Sequence, residues 1–159
     1  LLSPDGVAKI SDFGIAKDLN ATSQLTQAGV GLGTFSFMAP EQFQEAKDVD
    51  HSADMYGLGA TLYHMIAGRP PFLYTSGVNP VALVKEILES SPPRLRELRP
   101  DCPLEIADFV HRLISKEPRE RPQPANFVEA MLAKLRKQLC AKDTQRMLWE
   151  SSSDTSTGD

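Results

Sequence analysis

Between residues 50 and 139 apolar positions recur with helical spacing, and capping residues mark where each helix begins and ends. In "DHSADMYGLGATLYHMIAG", Asp50 or Ser52 is placed to cap the start, and Gly68, followed by Arg69-Pro70-Pro71, to stop the helix. Met55, Leu58, Ala60, Leu62, Tyr63, Met65 and Ile66 cover nearly every direction around it. A helix apolar all round belongs in the middle of a body and needs neighbours on all sides. "NPVALVKEILE" supplies the next helix, with Asn79 as cap and Pro80 at the first helical position. "PLEIADFVHRLI" repeats apolar residues at Ile106, Phe109, Val110, Leu113 and Ile114, which is a core stripe. "PANFVEAMLAKLRKQL" does the same at Phe127, Val128, Met131, Leu132, Leu135 and Leu139.

The first third of the chain has a different pattern. "SPDG", with Pro4 second and Gly6 fourth, has the residues of a type I turn. It joins Leu1-Leu2 to "VAKIS", so residues 1–11 are expected to form a hairpin. From Lys17 to Gly33 no periodicity is sustained, and a loop of that length within a compact domain is functional or disordered. Residues 151–159, "SSSDTSTGD", contain no apolar group, and residues 140–159 are expected to form a polar, disordered tail. There is no internal repeat.

Composition narrows the function classes. With 159 residues, 41% hydrophobic and 24% charged, the chain has ordinary globular make-up for about one domain. A formal net charge of −4 gives no bulk attraction to nucleic acid or to an anionic membrane. Cys102 and Cys140 lie far apart and lack metal-site spacing, as expected of a reduced, cytoplasmic protein. The longest apolar stretch carries Asp54 and His64 and falls short of the roughly 20 residues a membrane helix needs. The chain opens on Leu1 in mid-pattern without a leader, which reads as a piece of something longer.

The chemistry starts with "KISDFGIAK", residues 9–17. Asp12 follows a short apolar run and is itself followed by Phe13 and Gly14. A carboxylate at a strand end either starts a turn or holds a cation. Alone, the tripeptide decides nothing, but further features follow in order. Gly33-Thr34 leads into "FSFMAPE", which ends at Glu41; Asp54 stands near the start of the central helix; Arg121 sits in "KEPRERP". Together with "GRPPF" at residues 68–72 and "RPQPANF" ahead of the last helix, this series resembles the C-terminal lobe of eukaryotic-like (Hanks-type) serine/threonine protein kinases. The resemblance runs from Leu1 to about Leu139. "APEQ" and the short "GRPPF" connection resemble the bacterial branch.

That resemblance implies an α+β, protein-kinase-like fold. Residues 1–139 would be the lobe: a small β-hairpin at its N-terminal edge (1–11), an activation segment (12–41) and a helical body (50–139). Asp12 would hold Mg²⁺ against the phosphates of ATP, with Phe13 and Gly14 completing that nucleotide-side motif. The assignment makes chemical sense, because phosphoryl transfer depends on positioning and charge neutralisation, and Mg²⁺ prefers a few carboxylate oxygens plus the phosphates themselves. Thr34 would contact the catalytic Asp of an upstream loop and shape the pocket for Ser/Thr substrates. Glu41 and Arg121 would form a buried ion pair, and Asp54 would accept backbone N–H bonds from that upstream loop. Thr26, Thr22 and Ser23 are candidate phosphorylation sites, with Thr26 where bacterial relatives often autophosphorylate. Phe37 stands where the family often has Tyr, and Gly57 where it often has Ser.

These residues include no glycine-rich phosphate loop, no strand lysine and no "HRD" catalytic loop. The resemblance therefore implies that the catalytic base and most ATP contacts lie upstream, and that this piece alone is inactive. Expected partners are ATP and Ser/Thr-bearing proteins, together with a second kinase copy for autophosphorylation. Nucleic acid and a membrane segment are not expected within these residues, although regions outside them could tether the full chain to a membrane. Two other functions fit less of the pattern: a pseudokinase scaffold, and an unrelated helical interaction domain.

Overall fold

The computed structural model describes residues 3–7, 32–44, 49–73 and 79–137. Four helices follow in order: α1 (Ser52–Ala67), α2 (Pro80–Glu89), α3 (Leu95–Leu98) and α4 (Leu104–Leu113). A fifth, α5, includes residues 125–137. Short 3-10 helices span Leu32–Phe37, Pro40–Phe43 and Pro118–Glu120. The described part is mostly helical, and no strand occurs among the described residues.

Of the expected hairpin, only the turn lies within the described residues. Gly6 N donates to Ser3 O at 2.9 Å, Ser3 N donates to Val7 O at 2.9 Å, and Gly6 has φ +77°. A type I turn followed by one left-handed residue is the usual three-residue hairpin connection, and glycine takes that conformation without a Cβ penalty. Leu1, Leu2 and residues 8–11 lie outside the described residues, as does most of the expected long loop. The described 3-10 helix begins at Leu32, one residue before the predicted end of that loop.

Helix α1 is set by its ends. Asp50 caps it: Oδ1 accepts from Ser52 N at 2.7 Å, and its carbonyl accepts from Ala53 N at 3.1 Å. His51 already has helical angles (φ −59°, ψ −12°), so Asp50 is the last residue outside the helix. The hydrogen bonds from Ser52 hold the Asp50 carboxyl below the usual range. At the other end Gly68 turns left-handed (φ 73°), and its N–H donates to His64 O at 2.8 Å. Arg99, held by Asp101, donates a further bond to Ile66 O at 3.1 Å. Helix α2 opens as its sequence predicts, with Asn79 Oδ1 accepting from Val81 N at 3.0 Å and Pro80 first in the helix.

Among the described residues α1 is covered on part of its circumference only. Tyr56, Ala60 and Tyr63 are fully buried against Leu95, Ala107, Val110 and Ile114, but Met65 is 76% exposed and Leu58 and Leu62 are only half-buried. One long side of the helix has no partner among the described residues. A second cluster, Phe35, Phe72, Leu83 and Ile87, binds α2 to the Leu32–Phe37 segment, with Met38 and Phe43 packed against it. The third, Phe109, Leu113, Val128 and Leu135, binds α4 to α5. Phe127 departs from its predicted core place and is 44% exposed. Leu139 lies outside the described residues. Helix α3 was not predicted; it is one turn long, too short for periodicity to reveal.

Glycine governs how closely α1 and α4 approach. A Cβ at Gly59 would stand 2.5 Å from Leu113 Cβ and 2.8 Å from Ile114 Cγ2, whereas one at Gly57 meets only Phe37 O at 3.8 Å. The two alanine substitutions should therefore act with opposite sign. Gly59→Ala should lower stability by about 1–3 kcal/mol through overpacking. Gly57→Ala should raise it by up to about 1 kcal/mol through helix propensity. Denaturant midpoints of the two variants of the intact protein check the pair, and equal shifts would contradict the packing described.

His111 gives a pH prediction. Its Nε2 accepts from Leu95 N at 3.0 Å, so the neutral ring carries its proton on Nδ1, and Tyr63 meets it edge to face at 6.0 Å. Burial pushes its pKa below the ordinary histidine value, with Arg94 adding to the effect and Asp108 and Glu97 opposing it. Below the ordinary value near 6.5 the unfolded chain binds the proton first, so stability should fall with acidification from there until the folded ring itself titrates. Thermal midpoints of the intact protein between pH 7.5 and about 5 should show that fall, and His111→Gln should flatten it.

Candidate functional site

The structure brings Glu41 and Arg121 together. Glu41 lies in the Pro40–Phe43 turn, whose start is fastened by Ala39 N donating to Gln42 Oε1 at 2.8 Å. Arg121 follows the Pro118–Glu120 turn, 80 residues further along the chain. Its side chain has no exposure and that of Glu41 only 14%. Nη1 donates to Glu41 Oε1 at 2.6 Å and Nη2 to Oε2 at 2.8 Å, a bidentate fork.

The remaining guanidinium hydrogens are also used. Nη1 donates to Ser52 O at 2.9 Å, Nη2 to Lys116 O at 3.2 Å, and Nε to Ser115 O at 2.9 Å. Every N–H of the group has an acceptor, which is what a buried cation requires. The Tyr56 ring lies beneath it, 5.1 Å from ring centre to the guanidinium carbon. Burial drives the Tyr56 phenol far above the usual tyrosine range, and among the described residues neither its hydroxyl nor that of Ser36 has a hydrogen-bond partner. Tyr56 serves here as an aromatic face and an apolar wall.

Lys116 is a residue the sequence reading missed. Its Nζ stands 4.1 Å from the centre of the Phe72 ring and donates to Ile87 O in the last turn of α2. Burial lowers its pKa to about 8. Nothing in the local pattern marks a lysine in "SKEPRERP" as half-buried; only the placement of Phe72 and α2 does so.

Other predicted site residues are placed as follows. The backbone of Thr34 belongs to the Leu32–Phe37 3-10 helix, which packs on both α1 and α2. Asp54 is exposed in the first turn of α1 and, among the described residues, accepts no hydrogen bond. Phe37 stacks on His64 (centroids 5.7 Å apart), and the two border a 570 Å³ cavity with Thr61, Met65 and Gly68. Asp12, Phe13, Gly14, Thr22, Ser23 and Thr26 lie outside the described residues. Among the described residues no group of three or more His, Cys, Asp or Glu could hold a metal ion, and no helix is long and apolar enough to cross a membrane.

Comparison with known proteins places this architecture. The family model "Protein kinase domain" matches residues 1–133. The chain is 35% identical over 122 residues to serine/threonine-protein kinase PknF of Mycobacterium tuberculosis H37Rv, covering 76% of the chain and 24% of that protein. It is 36% identical over 139 residues to the DNA damage-responsive serine/threonine-protein kinase RqkA of Deinococcus radiodurans, covering 87% and 20%. Tyrosine-protein kinase MasK of Myxococcus xanthus is 37% identical over 133 residues, covering 82% and 20%. The chain thus spans between 20% and 24% of the length of these relatives.

Breaking the ion pair should be costly. Arg121→Met or Glu41→Leu leaves a desolvated charge without its partner, and each should lower stability by about 3–5 kcal/mol. Arg121→Lys should recover little, because one ammonium cannot reach acceptors spread over Glu41, Ser52, Ser115 and Lys116. Urea unfolding of the three variants in the intact protein measures this; a loss under about 1 kcal/mol for Arg121→Met would contradict the burial described.

Proposed function

Since the chain belongs to the protein kinase family, in its bacterial Hanks-type branch, we propose that it forms C-terminal lobe structure in a serine/threonine kinase. That kinase moves the γ-phosphoryl group of ATP to Ser or Thr hydroxyls of protein substrates. The observation that carries this reading is the buried Glu41–Arg121 fork. It fastens the end of the segment bearing Thr34 to the helical body, as phosphoryl transfer to a protein demands of the surface that receives the substrate.

Each remaining role follows from chemistry. Asp12 offers a single carboxylate, a donor suited to Mg²⁺ when the other ligands are phosphate oxygens and water. The metal, once bound, neutralises charge on the transferring phosphoryl group. Phe13 and Gly14 flank that carboxylate on the nucleotide side. Thr34 lies close enough in sequence to the fastened Glu41 to be held by it, and takes the substrate-side position. Exposed Asp54 is free to accept N–H groups from an upstream loop. Thr26, Thr22 and Ser23 are the autophosphorylation candidates, which makes a second kinase copy the natural partner. Residues 1–139 form the lobe and residues 140–159 a polar tail. A reduced compartment holding ATP, the cytoplasm, is where the domain works.

Residues upstream of these supply the catalytic base and most nucleotide contacts. They also cover apolar surface left open among the described residues: Met65, and a 720 Å³ groove between α1, α4 and α5 lined by Leu62, Ile66 and Leu132 among others. Residues 1–159 alone should transfer no phosphate and should melt without a sharp cooperative transition.

In the intact protein, radiolabelled ATP should phosphorylate Thr26 and a Ser/Thr peptide, and Asp12→Asn should reduce both by at least about a hundredfold. Label on tyrosine alone would overturn the substrate class. No transfer by the wild-type protein, together with retained partner binding, would favour a pseudokinase scaffold.

A further inference from the structure

We propose that Lys116 is a positioning residue for the segment that carries Thr34 and Glu41, acting through helix α2 and the Phe72 ring. This role deepens the kinase reading given above and presupposes it for the activity measurement.

Lys116 meets the rest of the molecule in three places. Its ammonium lies against the Phe72 face and donates to Ile87 O, a carbonyl in the last turn of α2 that no later helical N–H satisfies. Its own carbonyl accepts from Arg121 Nη2 at 3.2 Å. One residue therefore joins the end of α2, the turn after α1 and the buried arginine. Phe72 and Ile87, with Leu83, are also the residues through which α2 and that turn share a core with Phe35, Met38 and Phe43. The contacts of Lys116 thus fall on the apolar cluster that supports residues 32–43 and, through Arg121, beside the Glu41 fork.

The chemistry separates positioning from plain stability. Burial lowers the Lys116 pKa to about 8, so folding disfavours the charged form relative to the unfolded chain. An apolar side chain of similar length would fill the same slot without that desolvation cost. What it could not supply is direction: a donor aimed at the Ile87 carbonyl and a cation over the ring fix where the end of α2 sits, and through it residues 32–43.

The test uses the intact kinase and the variants Lys116→Met, Lys116→Gln and Lys116→Arg. Steady-state kinetics with a Ser/Thr peptide are measured beside hydrogen–deuterium exchange of residues 32–43 and the thermal midpoint. Lys116→Met and Lys116→Gln should raise the peptide KM by about fivefold with kcat within twofold, and speed exchange in 32–43. The thermal midpoint should stay within about 2 °C of wild type. Lys116→Arg, which keeps both the donor and the cation, should restore KM and exchange. Unchanged exchange in residues 32–43 for both Met and Gln variants would overturn the role, as would a KM equal to wild type. If the wild-type protein transfers no phosphate, the kinase reading fails, and exchange in 32–43 still decides the role of Lys116.

Discussion

A guanidinium group taken out of water must find an acceptor for each of its N–H bonds, and Arg121 finds them on Glu41, Ser52, Ser115 and Lys116. That requirement organises the region around it. The Ser52 carbonyl belongs to the first turn of α1, so the start of the central helix is fixed to the same point as the Pro40–Phe43 turn. The Ser115 and Lys116 carbonyls belong to the chain leaving α4, so that exit is fixed as well. Tyr56 closes the floor with its ring. A planar fork can satisfy these directions together, which a tetrahedral ammonium cannot.

Apolar packing complements this polar hub. The cluster of Phe35, Phe72, Leu83 and Ile87 supports residues 32–43 on the α2 side, while the fork supports them on the α1 side. The segment is held between a directional contact and a non-directional one. Area burial gives adhesion without register, and hydrogen bonds give register at a modest net energy. A segment fixed in both position and register needs both.

The helices were legible because their ends are chemically marked. Asp50, Asn79, Pro80 and Gly68 each do at a terminus what their side chains or backbone freedom dictate. The Glu41–Arg121 contact could be expected from ordered motifs, although a separation of 80 residues hides it from any local pattern. Exposure was harder to read. An all-round apolar helix implies complete cover only if every neighbour is at hand, and Met65 shows that one is not among the described residues. Phe127 fits the helical period of α5 yet faces outward, because period fixes a residue's angle and not the depth of what lies opposite. Lys116 was invisible for a similar reason: its burial is created by Phe72 and Ile87, which are remote in sequence.

Gly59 has a mechanical consequence. With hydrogen in place of a side chain, α1 and α4 are seated against each other deeply enough that Leu113 and Ile114 block both sliding and rolling. The pair behaves as a stiff bracket. Any displacement of the parts mounted on it has to be taken up by the connecting turns, as a door moves on its pins while the frame stays square.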